Sequence, residues 1–262
     1  MLTVQDIRAF LDEWAPTRLA EDWDNVGLLV GFPDQRVSRI MACLTTTPKV
    51  VEEAVRMRVD LIVSHHPLPF RPLKRLTGET VTGRLLLRLI AAGVAVYSPH
   101  TAFDSAAAGI NQQLAESLGL LLIQPLVAAP EDPSVGAGRW GRLPSSASLR
   151  SLAERLKTSL SLDRLQMVGS PDRGITTVAV ACGSAGQFLP SARERGCELL
   201  VTGETSFHTC VEAEADGIAL LLPGHYASER FGAEALARTL ADRFPGVEVW
   251  ASREESDPLR WI

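Results

Sequence analysis

The sequence predicts an α/β protein built as two α/β lobes with mixed, largely parallel sheets. Three observations carry this expectation. Short apolar runs such as VDLIVS (59–64), TTVAVACG (176–183) and IALLLP (218–223) have the length of buried strands rather than helices. Between them lie segments with helical apolar spacing, so strands and helices alternate along the chain. VDLIVS in particular reads as a buried strand, and Pro67 stops it.

Taken in order, VQDIRAFLDEW (4–14) places Val4, Ile7, Phe10, Leu11 and Trp14 on a helical period, and Pro16 ends it. Asp24-Asn25 and Gly27 suggest a turn into the short strand LLVG. VSRIMACL (37–44) reads as a strand. Thr47-Pro48 opens the helix PKVVEEAVRM, with proline at its first position. The strand VDLIVS follows, so a parallel pair with a right-handed crossover is expected. VTGRLLLRLIAAG (81–93) is a helix stopped at Gly93, followed by the strand VAVYS and a helix over roughly 105–118.

Residues 123–146 change character. Pro125, Pro130, Pro133, Gly136, Gly138 and Pro144 interrupt any period, and the stretch reads as a linker or an excursion into a second lobe. SLRSLAERLKTSL (148–160) is an amphipathic helix. DRLQMVG, TTVAVACG, ELLVTGE, IALLLP and VEVWA continue the strands, and SERFGAEALARTLADRF (228–244) is the last long helix. The lobes are expected at 1–124 with 215–262, and at 125–214.

Composition narrows the function classes. The chain has 262 residues, 46% hydrophobic and 22% charged, an ordinary globular balance that allows a substantial core. Its net charge of −5 argues against a general nucleic-acid binder. The basic loop RPLKRL (71–76) reads as a solvated segment. No basic start followed by an apolar stretch marks a signal peptide, and no apolar run approaches the ~20 residues of a membrane span. The four cysteines form no CxxC pair and read as reduced thiols in a cytoplasmic protein.

The chemistry lies in the polar residues at strand ends. LIVSHHPLPF (61–70) runs from a buried strand into His65, His66 and Pro67. Neighbouring residues on a strand point to opposite faces, so this pair does not serve one packing surface. In open α/β sheets the carboxyl ends of strands are where ligands bind. All five histidines, His65, His66, His100, His208 and His225, sit at or just past such ends, in the segments SHH, HTAFD, TGETSFH and GHYASE. His225 and Glu229 are spaced i, i+4, on one face if a helix begins near His225. Together with the histidine pair and Asp104 they make a mixed nitrogen and oxygen donor set. Five ligands exceed what one tetrahedral zinc needs and suit two ions about 3.5–4 Å apart sharing a carboxylate and a water. Each residue also has a plain structural role open to it. Asp104 can cap a helix, Glu229 can be an acid favoured in a helix's first turn, and Glu204 and His208 can be a capping pair. The turn GSAG after TTVAVAC can be a tight strand–helix connection or a weak phosphate cradle. No P-loop and no GxSxG elbow is present.

WDNVGLLVG, SHHPL, HTAFD, VTGE and GHYASE together resemble the NIF3-like family of dinuclear metal centre proteins, GTP cyclohydrolase type 2 homologues, over nearly the whole chain. The resemblance implies a NIF3-like fold and a toroidal homohexamer, a trimer of dimers. It implies two divalent ions, zinc, iron or manganese, on His65, His66, Asp104, His225 and Glu229. Glu229 would bridge, His65 and Asp104 would favour one ion, and His66 and His225 the other. His100, Glu204 and His208 match positions that face the substrate or support the ligands. The implied activity is metal-dependent hydrolysis by a bridging water, with opening of the guanine ring of GTP and release of formate as the family's named reaction, so the expected partner is a small molecule such as a nucleotide. A metal-handling protein without turnover, or a ring scaffold with structural metals, are the alternatives. Two stretches depart from the family pattern. CLTTTP (43–48) lacks the aspartate many members carry near Thr45, and SREESDPLRWI strays from the usual ending.

Overall fold

The computed structural model describes residues 1–260; the last two residues of the divergent ending lie outside it. The chain divides into two compact units, one of Met1–Phe103 with Gly232 onward, the other of Asp104–Phe231. No helix among the described residues is long and apolar enough to cross a membrane.

The first unit holds a five-stranded sheet in the order β1 (Gly27–Val30), β4 (Ala95–Ser98), β3 (Leu61–Ser64), β2 (Arg39–Cys43), β11 (Glu248–Ala251). Only β1 runs antiparallel. The expected parallel pair is β2–β3, joined by α2 (Pro48–Arg56), whose N-cap Thr47 accepts from the Val50 amide. Strand alternation sorts the core into two faces. Ile40, Leu61, Val63, Ala95 and Tyr97 pack with α1 (Val4–Trp14) and with Leu236 and Leu240 of α9 (His225–Arg243). Met41, Ile62 and Val96 face α2 and α3 (Val81–Ala92). Two-sided burial explains why the strands read as unbroken apolar runs.

The second unit holds a six-stranded sheet in the order β5 (Leu121–Ala128), β6 (Gly136–Ser148), β8 (Gly174–Ser184), β9 (Leu199–Glu204), β10 (Ala219–Leu222), β7 (Gln166–Val168). Its β8–β9–β10 centre is parallel and the remaining pairs are antiparallel. Val178, Val180, Leu199, Val201, Ala219 and Leu221 pack with α5 (Ile110–Ser117) and α6 (Leu149–Leu160). Ala179, Ala181, Leu200, Leu220 and Leu222 face α7 (Leu189–Glu194) and α8 (Phe207–Ala215).

The stretch read as a linker is the β5–β6 hairpin. Pro125 is tolerated because β5 is an edge strand, and Pro130 and Pro133 lie in the connecting loop. The hairpin is locked by Arg139, which is 1% exposed. Its guanidinium donates to the carbonyls of Gly136, Gly138, Ser105 and Ala106 and to Gln112 Oε1. Burial pushes its pKa down to about 10, so it stays charged at neutral pH among carbonyl dipoles.

Candidate metal centre

In the first unit the polar groups collect past the carboxyl ends of three adjacent parallel strands. The ladder continues beyond β3, since the His65 amide donates to Cys43 O at 2.9 Å and the His66 amide to Leu44 O at 2.8 Å. Ser98 Oγ donates to His65 O, and Ser64 Oγ donates to His66 O. With the strand ended at Ser64, the two histidines no longer alternate across the sheet, and their ring centroids stand 5.1 Å apart.

His100 opens α4 (His100–Ser105), just past β4, and completes a triangle, with centroids 5.2 Å from His65 and 5.4 Å from His66. One nitrogen from each of the three rings lies within 4.8 Å of the others, an arrangement that could hold a metal ion. His65 and His100 are buried and His66 is half-buried. His100 has a φ of 21°, which L residues rarely adopt. It is held there by Asp24, whose side chain is 1% exposed. Asp24 Oδ1 lies 2.8 Å from His100 Nδ1, and Oδ2 accepts from the Thr101 amide and hydroxyl. Burial of Asp24 works to raise its pKa, but the His100 and Thr101 hydrogen bonds and the His100 charge outweigh it and bring it down to about 2. The Nδ1 of His100 is thus committed to this carboxylate, which sets the orientation of the ring. In the sequence Asp24 reads as a turn residue within WDNVGLLVG, and nothing in that motif pairs it with His100, 76 residues further on.

Trp23 and Phe70 edge this cluster. They are 60% and 47% exposed, and their ring centroids lie 6.0 and 5.9 Å from that of His100. Asn25 Nδ2 donates to Pro69 O at 2.7 Å and ties their two loops together.

In the second unit α9 begins at His225, as the i, i+4 reading of His225 and Glu229 requires, and His225 Nε2 stands 3.0 Å from Glu229 Oε2. His225 Nδ1 contacts Glu204 Oε1 at 2.9 Å, from the end of β9. The hydrogen bond to Glu229 leads in raising the His225 pKa to about 9; burial opposes it, and Glu204 adds to the rise. An imidazole between two carboxylates thus keeps a proton at neutral pH. Glu229 is buried, at 4% exposure. Room for it is made by Gly183, at a φ of +68°, where a Cβ would collide with Glu229 Oε1 and lie 3.4 Å from His225 Nε2.

Asp104 lies inside α4 rather than before a helix, so it caps none. With Glu229 its charge adds to burial in raising the Cys182 thiol pKa, which keeps that sulfur protonated. All four cysteines are free thiols. His208 is exposed on α8, edge-on to Phe207.

The sequence profile of the Duf34/NIF3 family (NGG1p interacting factor 3) matches residues 2–258. The chain belongs to this family. A Clostridium perfringens relative named GTP cyclohydrolase 1 type 2 homolog is 32% identical over 262 residues, covering the whole of both chains. The Schizosaccharomyces pombe protein NIF3 homolog is 36% identical over 92% of each chain. Among solved structures, Staphylococcus aureus protein SA1388 superposes with a TM-score of 0.88 at 25% identity, over 100% of this chain and 99% of that one. A Bacillus cereus protein related to NIF3 reaches 0.90 at 21% identity, over the same shares of the two chains, a likeness of fold alone. The NIF3 fold expected from the motifs is therefore the fold of this chain, and the histidine cluster of this NIF3 protein could hold a metal ion.

Proposed function

We propose that this protein is a dinuclear metal-dependent hydrolase of the GTP cyclohydrolase type 2 kind. In this reading it acts on a nucleotide in the cytoplasm as a homohexamer assembled from three dimers. The observation that carries it is the convergence of His65, His66 and His100, three imidazoles on neighbouring strand ends with nitrogens within 4.8 Å. Such a nitrogen-rich set, supplemented by carboxylate oxygen, suits zinc, iron or manganese. In this reading the residues that would hold the ions are those implied by the family motifs: His65, His66, Asp104, His225 and Glu229. Support comes from each unit separately: the imidazole triangle in one, the His225–Glu229 pair cleared by Gly183 in the other.

Two divalent ions bound there would supply Lewis-acid polarisation of the substrate and an acidified water as nucleophile. The chain's own residues do the rest. Asp24 fixes the His100 ring, so that its Nε2 can hold or deliver a proton at the reacting atom. Glu204 orients His225 through Nδ1. Trp23 and Phe70 offer ring faces on which a planar base can stack, worth about 1–3 kcal/mol per base in comparable sites. His208, exposed on α8, is assigned to substrate contact outside the ligand set.

The test is elemental analysis of the purified protein with a hydrolysis screen over nucleotides, before and after chelation. Two ions per chain and turnover that a chelator abolishes while the far-ultraviolet circular dichroism persists are expected. Collapse of the fold on chelation would assign the metals a structural role. Bound metal with no turnover on any nucleotide would favour metal handling, and a metal-free protein would end the reading.

A further inference from the structure

The loop after β2 carries a second layer to the imidazole cluster. Thr45 Oγ1 lies 2.7 Å from His66 Nδ1. The Thr45 amide donates to Glu255 Oε1 at 2.6 Å, and the Leu44 amide donates to Glu255 Oε2 at 2.9 Å. One carboxylate therefore clasps two consecutive backbone N–H groups, 210 residues away from Thr45 in sequence. Leu44 also accepts from the His66 amide, so the clasped peptide is the one on which His66 hangs.

Glu255 is itself held in place. The Ser252 amide donates to Ala42 O at 2.7 Å, extending the β2–β11 pairing. Ser252 Oγ and the amides of Arg253 and Glu254 donate to the carboxylate of Glu53, which is 2% exposed on α2. The segment that follows β11 is thus fastened at two successive carboxylates, and the second of them sets the loop that touches His66.

We propose that Glu255 and Thr45 are positioning residues, which fix the His66 ring so that Nε2 is the nitrogen presented to a divalent cation. This rests on the reading of His66 as a metal ligand. The physical reason is tautomeric. A hydroxyl that accepts from Nδ1–H leaves the lone pair on Nε2, whereas a hydroxyl that donates to Nδ1 leaves the proton on Nε2 and forbids ligation there. Supporting contacts of this kind orient ligating histidines, and their loss weakens metal binding about 10–100-fold. The charge-assisted clasp by Glu255 holds the Thr45 backbone, and with it the hydroxyl, at a fixed distance from the ring.

The experiment compares wild type with Thr45→Val, Thr45→Ser and Glu255→Ala. Imidazole nitrogen spectra are recorded on metal-free protein, with the His66 signals assigned from a His66→Gln sample. Zinc affinity is measured on the same proteins by competition with a chromophoric chelator. Wild type should hold His66 as the Nδ1–H tautomer. Thr45→Val should mix the tautomers and weaken zinc about tenfold, Thr45→Ser should restore both, and Glu255→Ala should shift both in the direction of Thr45→Val. A purely structural role would lower the melting temperature and leave the tautomer alone. Wild type with the proton on Nε2, or Thr45→Val with His66 unchanged, overturns the proposal for Thr45, and Glu255→Ala matching wild type in both readouts removes Glu255 from it. Because the tautomer is read without metal, the two failures are distinguishable: zinc bound with an Nε2–H wild type overturns this proposal and leaves the hydrolase reading, whereas a wild type that holds the Nδ1–H tautomer but binds no zinc, iron or manganese defeats the hydrolase reading and, with it, the role of Thr45 and Glu255 toward a cation.

Discussion

Asp24 is a buried carboxylate with a partner on each oxygen, and its behaviour with pH follows from that. Its folded pKa, about 2, lies below the ordinary 3.8. A group shifted this way contributes stability that is fully present above the unfolded value and is lost as pH falls through the folded one. The contribution is about 2 kcal/mol and disappears between roughly pH 4 and pH 2. Asp24→Asn should therefore be less stable than wild type at pH 6 by about that amount, and the two should converge near pH 2 in urea unfolding followed by circular dichroism. A constant gap across the range would show that the carboxylate charge is not what stabilises the His100 turn.

At the scale of elements, the parallel strands are what bring the histidines together, and the glycines are what let α9 approach. Gly183 lies in the register shift of β8 between Ala181 and Ser184, with a positive φ, and stands against Glu229 and His225. Gly183→Ala adds one methyl where no space exists and should displace the His225–Glu229 pair, with metal content falling at least tenfold while the helical circular dichroism is kept. Normal metal loading in Gly183→Ala would remove that pair from the centre.

The alternating elements were legible because two-sided burial writes strands as apolar runs and the Thr47-Pro48 cap is a local signal. The His225–Glu229 spacing was legible for the same reason, since it lies within one helix. The β5–β6 hairpin was hidden, because Pro125 sits on an edge strand, Pro130 and Pro133 in the loop, Pro144 in the β6–β8 register shift between Arg142 and Ala147, and Gly136 and Gly138 at positive φ, a pattern that imitates a linker. Asp24, Thr45 and Glu255 were hidden for a different reason. Their partners are 76, 21 and 210 residues away, and nothing local distinguishes them from turn or surface residues. The two stretches that depart from the family pattern, around Thr45 and after Ser252, prove to touch one another.

For the whole molecule, the proposed ring makes a claim about mass. Six copies of a 28.3 kDa chain give about 170 kDa, which light scattering coupled to size exclusion should return. Apolar side chains for such an assembly are present on the surface of the second unit: Leu121, Leu122 and Val127 on the edge strand β5, and Phe207 and Val211 on α8. Apolar residues mark an association surface where they form one contiguous patch, and are ordinary where they are scattered singly. A protein that elutes with the mass of one or two chains would retire the hexamer and leave these surfaces to other partners.

The indole of Trp23, mostly in solvent and edge-on to His100, gives the protein its own optical gauge. Imidazole quenches indole emission to an extent that changes with its charge, so occupation of the cluster should alter the fluorescence of the unlabelled protein. Replacing Trp23 with phenylalanine should silence that change. Titration of the native chain in a cuvette would then follow loading and release of ions in real time, with no dye and no radioisotope.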